Sequence, residues 1–117
     1  MVEGTYVKIF PWNSVEAQKA EEGAEGVTVR WLLTKEQGAD NFYMRLFEME
    51  PGGHTPLHDH PWEHEVLILK GSGAVSASSE ETEFHEGDVI LLPSGEKHQF
   101  RNTGKDTVRF LCLIPAT

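Results

Sequence analysis

The chain has a single cysteine, Cys112, among 117 residues, so no disulfide within it can brace the fold. It has no apolar run approaching the ~20 residues of a membrane-spanning helix, and no membrane association is expected. Basic residues are scarce. Ten Lys and Arg stand against 19 Asp and Glu, a net charge of −9, so a nucleic-acid partner is not expected either. Met1–Trp12 has no basic stretch followed by an apolar one, so no signal peptide is expected and the cytoplasm is the expected location. No Ser–His–Asp arrangement, phosphate-cradling loop or dinucleotide fingerprint is evident. Helical pattern is nearly missing too. Ser14–Glu22 has helix propensity and a capping serine but no apolar stripe, and it fits a loop equally.

What is present is a series of short strands. Val27–Leu33 and Asn41–Glu50 are rich in β-branched and aromatic residues, and the second is closed by Pro51-Gly52-Gly53. Glu65–Lys70, Ala74–Ser78, Glu83–His85, Val89–Leu92, His98–Arg101 and Thr107–Ile114 follow. Gly71-Ser72-Gly73, Gly87-Asp88, Pro93-Ser94-Gly95 and Asn102-Thr103-Gly104 lie at the joints. Such spacing predicts an all-β sandwich or barrel in one domain spanning 1–117, with its core at about 42–115.

The chemistry is concentrated in histidine. Four of the six histidines are His58, His60, His64 and His98. On a strand, residues i and i+2 share a face, so His58 and His60 point the same way. His64 keeps their parity, with Pro61 bending the chain between. Clustered imidazoles suit Zn, Cu, Fe and Ni. His54, in a glycine-rich turn, is expected to be solvated. His85, among Glu83, Glu86 and Asp88, reads as a surface charge partner.

Two spacings resemble a known family. Gly52, then five residues, then His58-x-His60, four more residues and Glu65, with Gly71 and Gly73 just after, resembles the first cupin motif. Gly87, then Pro93-x-Gly95, His98 and Asn102 resemble the second. The stretch Pro61-Trp62-Glu63-His64 is most similar to small single-domain cupins that bind one metal through four histidines. The resemblance implies a double-stranded β-helix, or jelly-roll barrel, of two antiparallel sheets. It also implies one divalent transition metal ion (Mn, Fe, Cu, Ni or Zn, with Mn or Fe favoured) on His58, His60, His64 and His98. The broader family places its carboxylate ligand where Glu65 stands. Alternation and the four-histidine subgroup favour His64, and a bulge would reverse that choice.

Phe100 shares the face of His98, and Phe110, Cys112 and Ile114 alternate along the last strand. All four read either as core or, from the resemblance, as an apolar pocket wall. Arg45 reads as a solvent- or dimer-facing charge, or as an anchor for an anionic substrate. Trp62 supports packing or gates entry.

Four neutral imidazoles leave the ion's charge uncompensated and, in octahedral geometry, two positions open. That favours oxygen-donor small-molecule substrates, anionic ones included. The leading expectation is a metal-dependent oxidoreductase of dioxygenase type. A non-redox isomerase, epimerase or hydrolase and a non-catalytic metal-dependent binding protein are the alternatives. Metal release is expected on acidification through pH ~6.5 or below. A homodimer is expected because Val27–Leu33 cannot bury both faces in so short a chain, with Thr5–Phe10 pairing across the interface.

Overall fold

The computed structural model describes residues 7–117. Besides two 3-10 turns, Trp12–Ser14 and Lys35–Gln37, the described residues form nine strands: β1 (Gln18–Lys19), β2 (Glu25–Leu33), β3 (Phe42–His54), β4 (His64–Lys70), β5 (Gly73–Ala77), β6 (Glu80–Phe84), β7 (Val89–Leu92), β8 (His98–Arg101) and β9 (Val108–Pro115). All pair antiparallel, in the order β6-β5-β8-β3-β9-β4-β7, with β2 also on β3 and β1 on β2. The result is a jelly-roll barrel.

The two expected sheets are continuous through β3. This strand does not stop at Pro51-Gly52-Gly53 but bends there and runs on to His54. Over Phe42–Met49 it pairs with β9, and at His54 it pairs with Arg101 of β8. Gly52 takes φ +82, a left-handed conformation open to glycine at little cost. A Cβ on Gly53 would meet the carbonyl oxygens of Glu25 and Glu50 at 2.9 Å. The two glycines thus let one strand serve both layers.

Alternation packs the interior. In β9, Val108, Phe110, Cys112 and Ile114 are buried, with the residues between them only half-buried. They join Val27, Met49, Val66 and Ile68 from one layer, and Val75, Phe84 and Phe100 from the other, in one core. Such an alternating apolar face is what commits a strand to a single register.

Of the two readings open for Ser14–Glu22, the structure takes the non-helical one: a 3-10 turn at Trp12–Ser14 is followed by β1. Without an apolar stripe it has nothing to bury as a helix. It is clasped instead by side chains, with Arg30 and Arg109 over the Trp12 ring and Arg30 Nη1 donating to the Val15 carbonyl. In β2, Val27, Val29 and Leu32 are buried while Trp31 is 39% exposed, so the strand keeps one large apolar side chain uncovered within the single chain. Finally, Thr5–Phe10 lies partly outside the described residues; within them, Val7–Phe10 forms no strand.

Candidate metal centre

The His58-Asp59-His60 segment is not part of a regular strand. It is an extended connection between β3 and β4, laced against β8 by backbone hydrogen bonds. Thr55 N–H donates to the Phe100 carbonyl at 2.9 Å, and Thr55 Oγ1 accepts from Phe100 N–H at 2.8 Å. His58 and His98 exchange both backbone bonds, at 2.9 and 3.2 Å. Gly95 N–H then donates to the His60 carbonyl at 2.7 Å. This lacing sets His58 beside His98. Pro61-Trp62 bends the chain, and β4 begins at His64.

The four rings converge. Ligand atoms of His58, His60 and His98 all lie within 4.8 Å of one another, so these three histidines have the proximity to hold one ion. His58 Nε2 and His60 Nε2 are 3.2 Å apart. Two nitrogens each ~2.1 Å from one ion would stand about 3.0 Å apart at a right angle and about 3.4 Å apart at a tetrahedral angle, so the pair fits a shared cation. His98 Nδ1 donates to the Glu96 carbonyl at 2.9 Å, which leaves its Nε2 lone pair free. The His64 ring lies 4.9 Å from that of His98 and 5.2 Å from that of His60. Its buried Nδ1 has no hydrogen-bond partner among the described residues. His64 is buried and Glu65 exposed, so no bulge reverses the facing. The donor set therefore fits a divalent transition metal.

Burial and mutual repulsion favour the neutral form of His60, His64 and His98. Burial, then His98 and Arg45, lowers His64 to about 3 from its ordinary 6.5. Burial is also the main cause lowering His60 and His98. The sign follows: between pH 6.5 and about 3 the unfolded chain takes a proton that folded His64 refuses. The metal-free chain is expected to hold its full stability above pH 6.5 and to lose it progressively as pH falls toward 3. Melting temperatures of chelator-treated protein across this range check it; a flat profile would contradict a buried neutral His64. Proton competition for metal should likewise set in below the ordinary imidazole range.

The histidines open onto a cavity of about 40 Å³, whose lining includes Arg45, Cys112, Phe100 and Phe110. Those four expected pocket residues share this wall. Ile114 does not. It is buried two residues further along β9, opposite Tyr43 and beyond the cavity. Phe110 serves wall and core together, 2% exposed and stacked on Phe47 and Phe100 at 5.1 and 4.9 Å. Burial raises the Cys112 thiol above its usual range, opposed by Arg45, so the residue is a neutral thiol. Trp62 stacks on His60 at 4.7 Å with its rings 5° from parallel, and thereby holds that ring. His54 lies outside this lining, 3.8 Å from Glu25, and His85 pairs with Asp88 at the surface.

Five lining residues were not anticipated from the sequence: Ala20, Glu21, Phe47, Thr55 and Pro56. Phe47 has the parity of Arg45 on β3, and alternation alone would have found it. Glu21 carries no local signal. It comes from the turn between β1 and β2 and sets its Oε1 3.8 Å from His58 Nε2.

The sequence pattern of the family described as Cupin domain matches residues 45–114. The oxalate-binding protein of Thermotoga maritima is 36% identical over 97 residues, covering 79% of this chain and 78% of that protein. The 1-methylthio-D-xylulose 5-phosphate methylsulfurylase of Rhodospirillum rubrum is 36% identical over 73 residues; the match spans 62% of this chain but only 47% of that protein. Among solved structures, the polyketide cyclase RemF of Streptomyces resistomycificus superposes with a TM-score of 0.89 at 36% identity. That superposition covers 96% of this chain and 81% of the cyclase.

Proposed function

The chain belongs to the cupin domain family, and on that footing we propose that it is a single-metal enzyme acting on a small oxygen-donor molecule by non-redox chemistry. The observation that carries this reading is the convergence of His58, His60 and His98, with the orphaned Nδ1 of His64 beside them. In the proposal all four hold one divalent ion. When bound, such an ion supplies a Lewis acid that polarises a coordinated carbonyl or hydroxyl.

The chain's own residues have separable tasks. Phe47, Phe100 and Phe110 keep water from the site, which strengthens every charge within it. Trp62 and the Glu96 carbonyl orient His60 and His98. Among the described residues Glu21 is the one acid in the lining, and in the proposal its carboxylate takes a proton from a substrate and returns it.

Non-redox chemistry is preferred to the dioxygenase expectation because the relatives described above are named as a cyclase, a methylsulfurylase and a binding protein, none as an oxygenase. The test is anaerobic. Protein loaded with Zn(II) or Mn(II) is mixed with small 2-hydroxy and 2-oxo compounds in D2O, and exchange of carbon-bound hydrogen is followed by proton NMR. Metal-dependent exchange supports the proposal. Oxygen uptake by the Fe(II)-loaded protein without such exchange would replace it with the dioxygenase reading. Binding without either would make the protein a binder.

The proposal includes a homodimer. Leu67, Val89 and Leu91 line a shallow apolar depression of about 410 Å³ on the outer side of β4 and β7, and the three are 38%, 79% and 59% exposed. A second copy would cover this surface. Sedimentation at tens of micromolar is expected to give the dimer mass; a monomer would overturn it.

A further inference from the structure

Arg45 is a charge in the middle of an apolar face. Strand register sets Trp31, Arg45, Cys112 and Val66 in one row across β2, β3, β9 and β4. The adjoining row is Val29, Phe47, Phe110 and Ile68. Cross-strand partners share a face, so the guanidinium rises from a surface otherwise built for the core.

Its surroundings leave it under-satisfied. The guanidinium carbon lies over the Phe47 and Trp31 rings, 4.9 and 5.4 Å from their centres. Nη2 donates to Cys112 Sγ at 3.1 Å, and a neutral thiol is a weak acceptor. Nε is buried with no partner. The other three arginines all have carboxylates. Arg30 and Arg109 share Glu48, and Arg101 pairs with Glu81. Among the described residues Arg45 forms no such pair. A partly buried cation without a counter-ion is costly, and a guanidinium fixed by two rings has already lost the freedom that binding would otherwise remove.

The same cavity carries the histidine cluster. We propose that Arg45 is the substrate anchor, and that the substrate is a small carboxylate. Its acid group pairs with the guanidinium, and an oxygen on the neighbouring carbon would reach an ion held by the histidines. This rests on the metal reading above. One planar guanidinium matches the two oxygens of a carboxylate, and a cavity of about 40 Å³ suits a compact acid better than a phosphate ester. Arg45 is a specificity residue here: it selects the anion, while an ion held by the histidines would supply the Lewis acid.

The experiment compares glycolate with its neutral isostere glycolamide by calorimetry on Zn(II)-loaded protein, with zinc content and melting temperature measured on every variant. Glycolate is expected to bind at least tenfold more tightly than glycolamide. Arg45→Gln should remove that preference at unchanged zinc stoichiometry, and Arg45→Lys should retain part of it. Equal binding of the two ligands by the unsubstituted protein would overturn the inference. So would an Arg45→Gln protein that holds zinc and still prefers glycolate, or inorganic phosphate binding more tightly than glycolate. If Arg45→Gln does not fold, the lysine variant and the isostere comparison decide. If the unsubstituted protein holds no zinc, the metal reading fails separately. Arg45 is then judged on metal-free protein, where acetate but not acetamide should shift the Arg45 Nε–H resonance; no shift would overturn the inference.

Discussion

Replacing His60 with alanine is expected to abolish stoichiometric metal. The substitution removes one of three ring nitrogens that already lie within 4.8 Å of one another, and it removes the one facing His58 Nε2 at 3.2 Å. Even outer-shell partners of metal ligands are worth about 10–100-fold in affinity, so loss of a ligand should exceed a hundredfold. Protein dialysed against dilute metal and analysed by mass spectrometry should fall from one equivalent to background, while far-ultraviolet circular dichroism stays that of the parent. Retained metal would sink the assignment. Two companion variants sharpen it. His64→Ala should weaken the site, since the His64 ring lies within 5.2 Å of the rings of His60 and His98. Glu65→Ala should leave it intact, because Glu65 is exposed. If instead Glu65→Ala loses metal and His64→Ala does not, the ligand set is the carboxylate one.

That contrast marks how far the sequence could be read. Residues 64 and 65 are neighbours, and strand alternation forces one in and the other out. The fold was legible for the same reason: period-two patterns such as Val108–Ile114 and Val66–Ile68 have one consistent way to be buried. The path of β3 was harder. Pro51-Gly52-Gly53 reads as the end of a strand, and only the paired approach of β8 shows that it is a bend within one. The joining of His58 to His98 was expected from the resemblance to the two cupin motifs, and the physical cause, backbone bonds exchanged between the two residues, leaves no mark in the sequence. Glu21 and the counter-ion deficit of Arg45 were invisible, because both depend on what distant segments bring, or fail to bring, to one place. Ile114 shows the converse limit. Alternation gave the correct face but not the distance along the strand at which the cavity ends.

Asn102 is the residue whose loss should cost the fold most for its size. It is 4% exposed and satisfies five groups at once. Its backbone exchanges bonds with the β3 bend, accepting from Gly52 N–H at 3.1 Å and donating to the Gly53 carbonyl at 3.0 Å. Its side-chain Nδ2 donates to the carbonyls of Met49 and Asp106, at 2.9 and 2.8 Å, and Oδ1 accepts from Gly104 N–H at 3.0 Å. Alanine keeps the backbone bonds and abandons the other three. Each orphaned buried group costs about 1–3 kcal/mol, so a loss of about 3 kcal/mol or more is expected. For a domain of this size that is a fall in melting temperature of roughly 10–20 °C. Asn102→Asp is the sharper test. It keeps the acceptor for Gly104 but turns a carboxylate oxygen toward two carbonyl oxygens, so it should be at least as damaging as alanine despite its shape. Gln99→Ala, losing a single bond to the Thr55 carbonyl from a half-buried position, should shift the midpoint by only a few degrees. If Asn102→Asp melts with the parent, the side chain is not the strap described. The consequence for the site follows from connectivity. The bend that Asn102 fixes launches the segment carrying Thr55, His58 and His60, so a variant that still folds should bind metal more weakly than the parent while every ligand residue is unchanged.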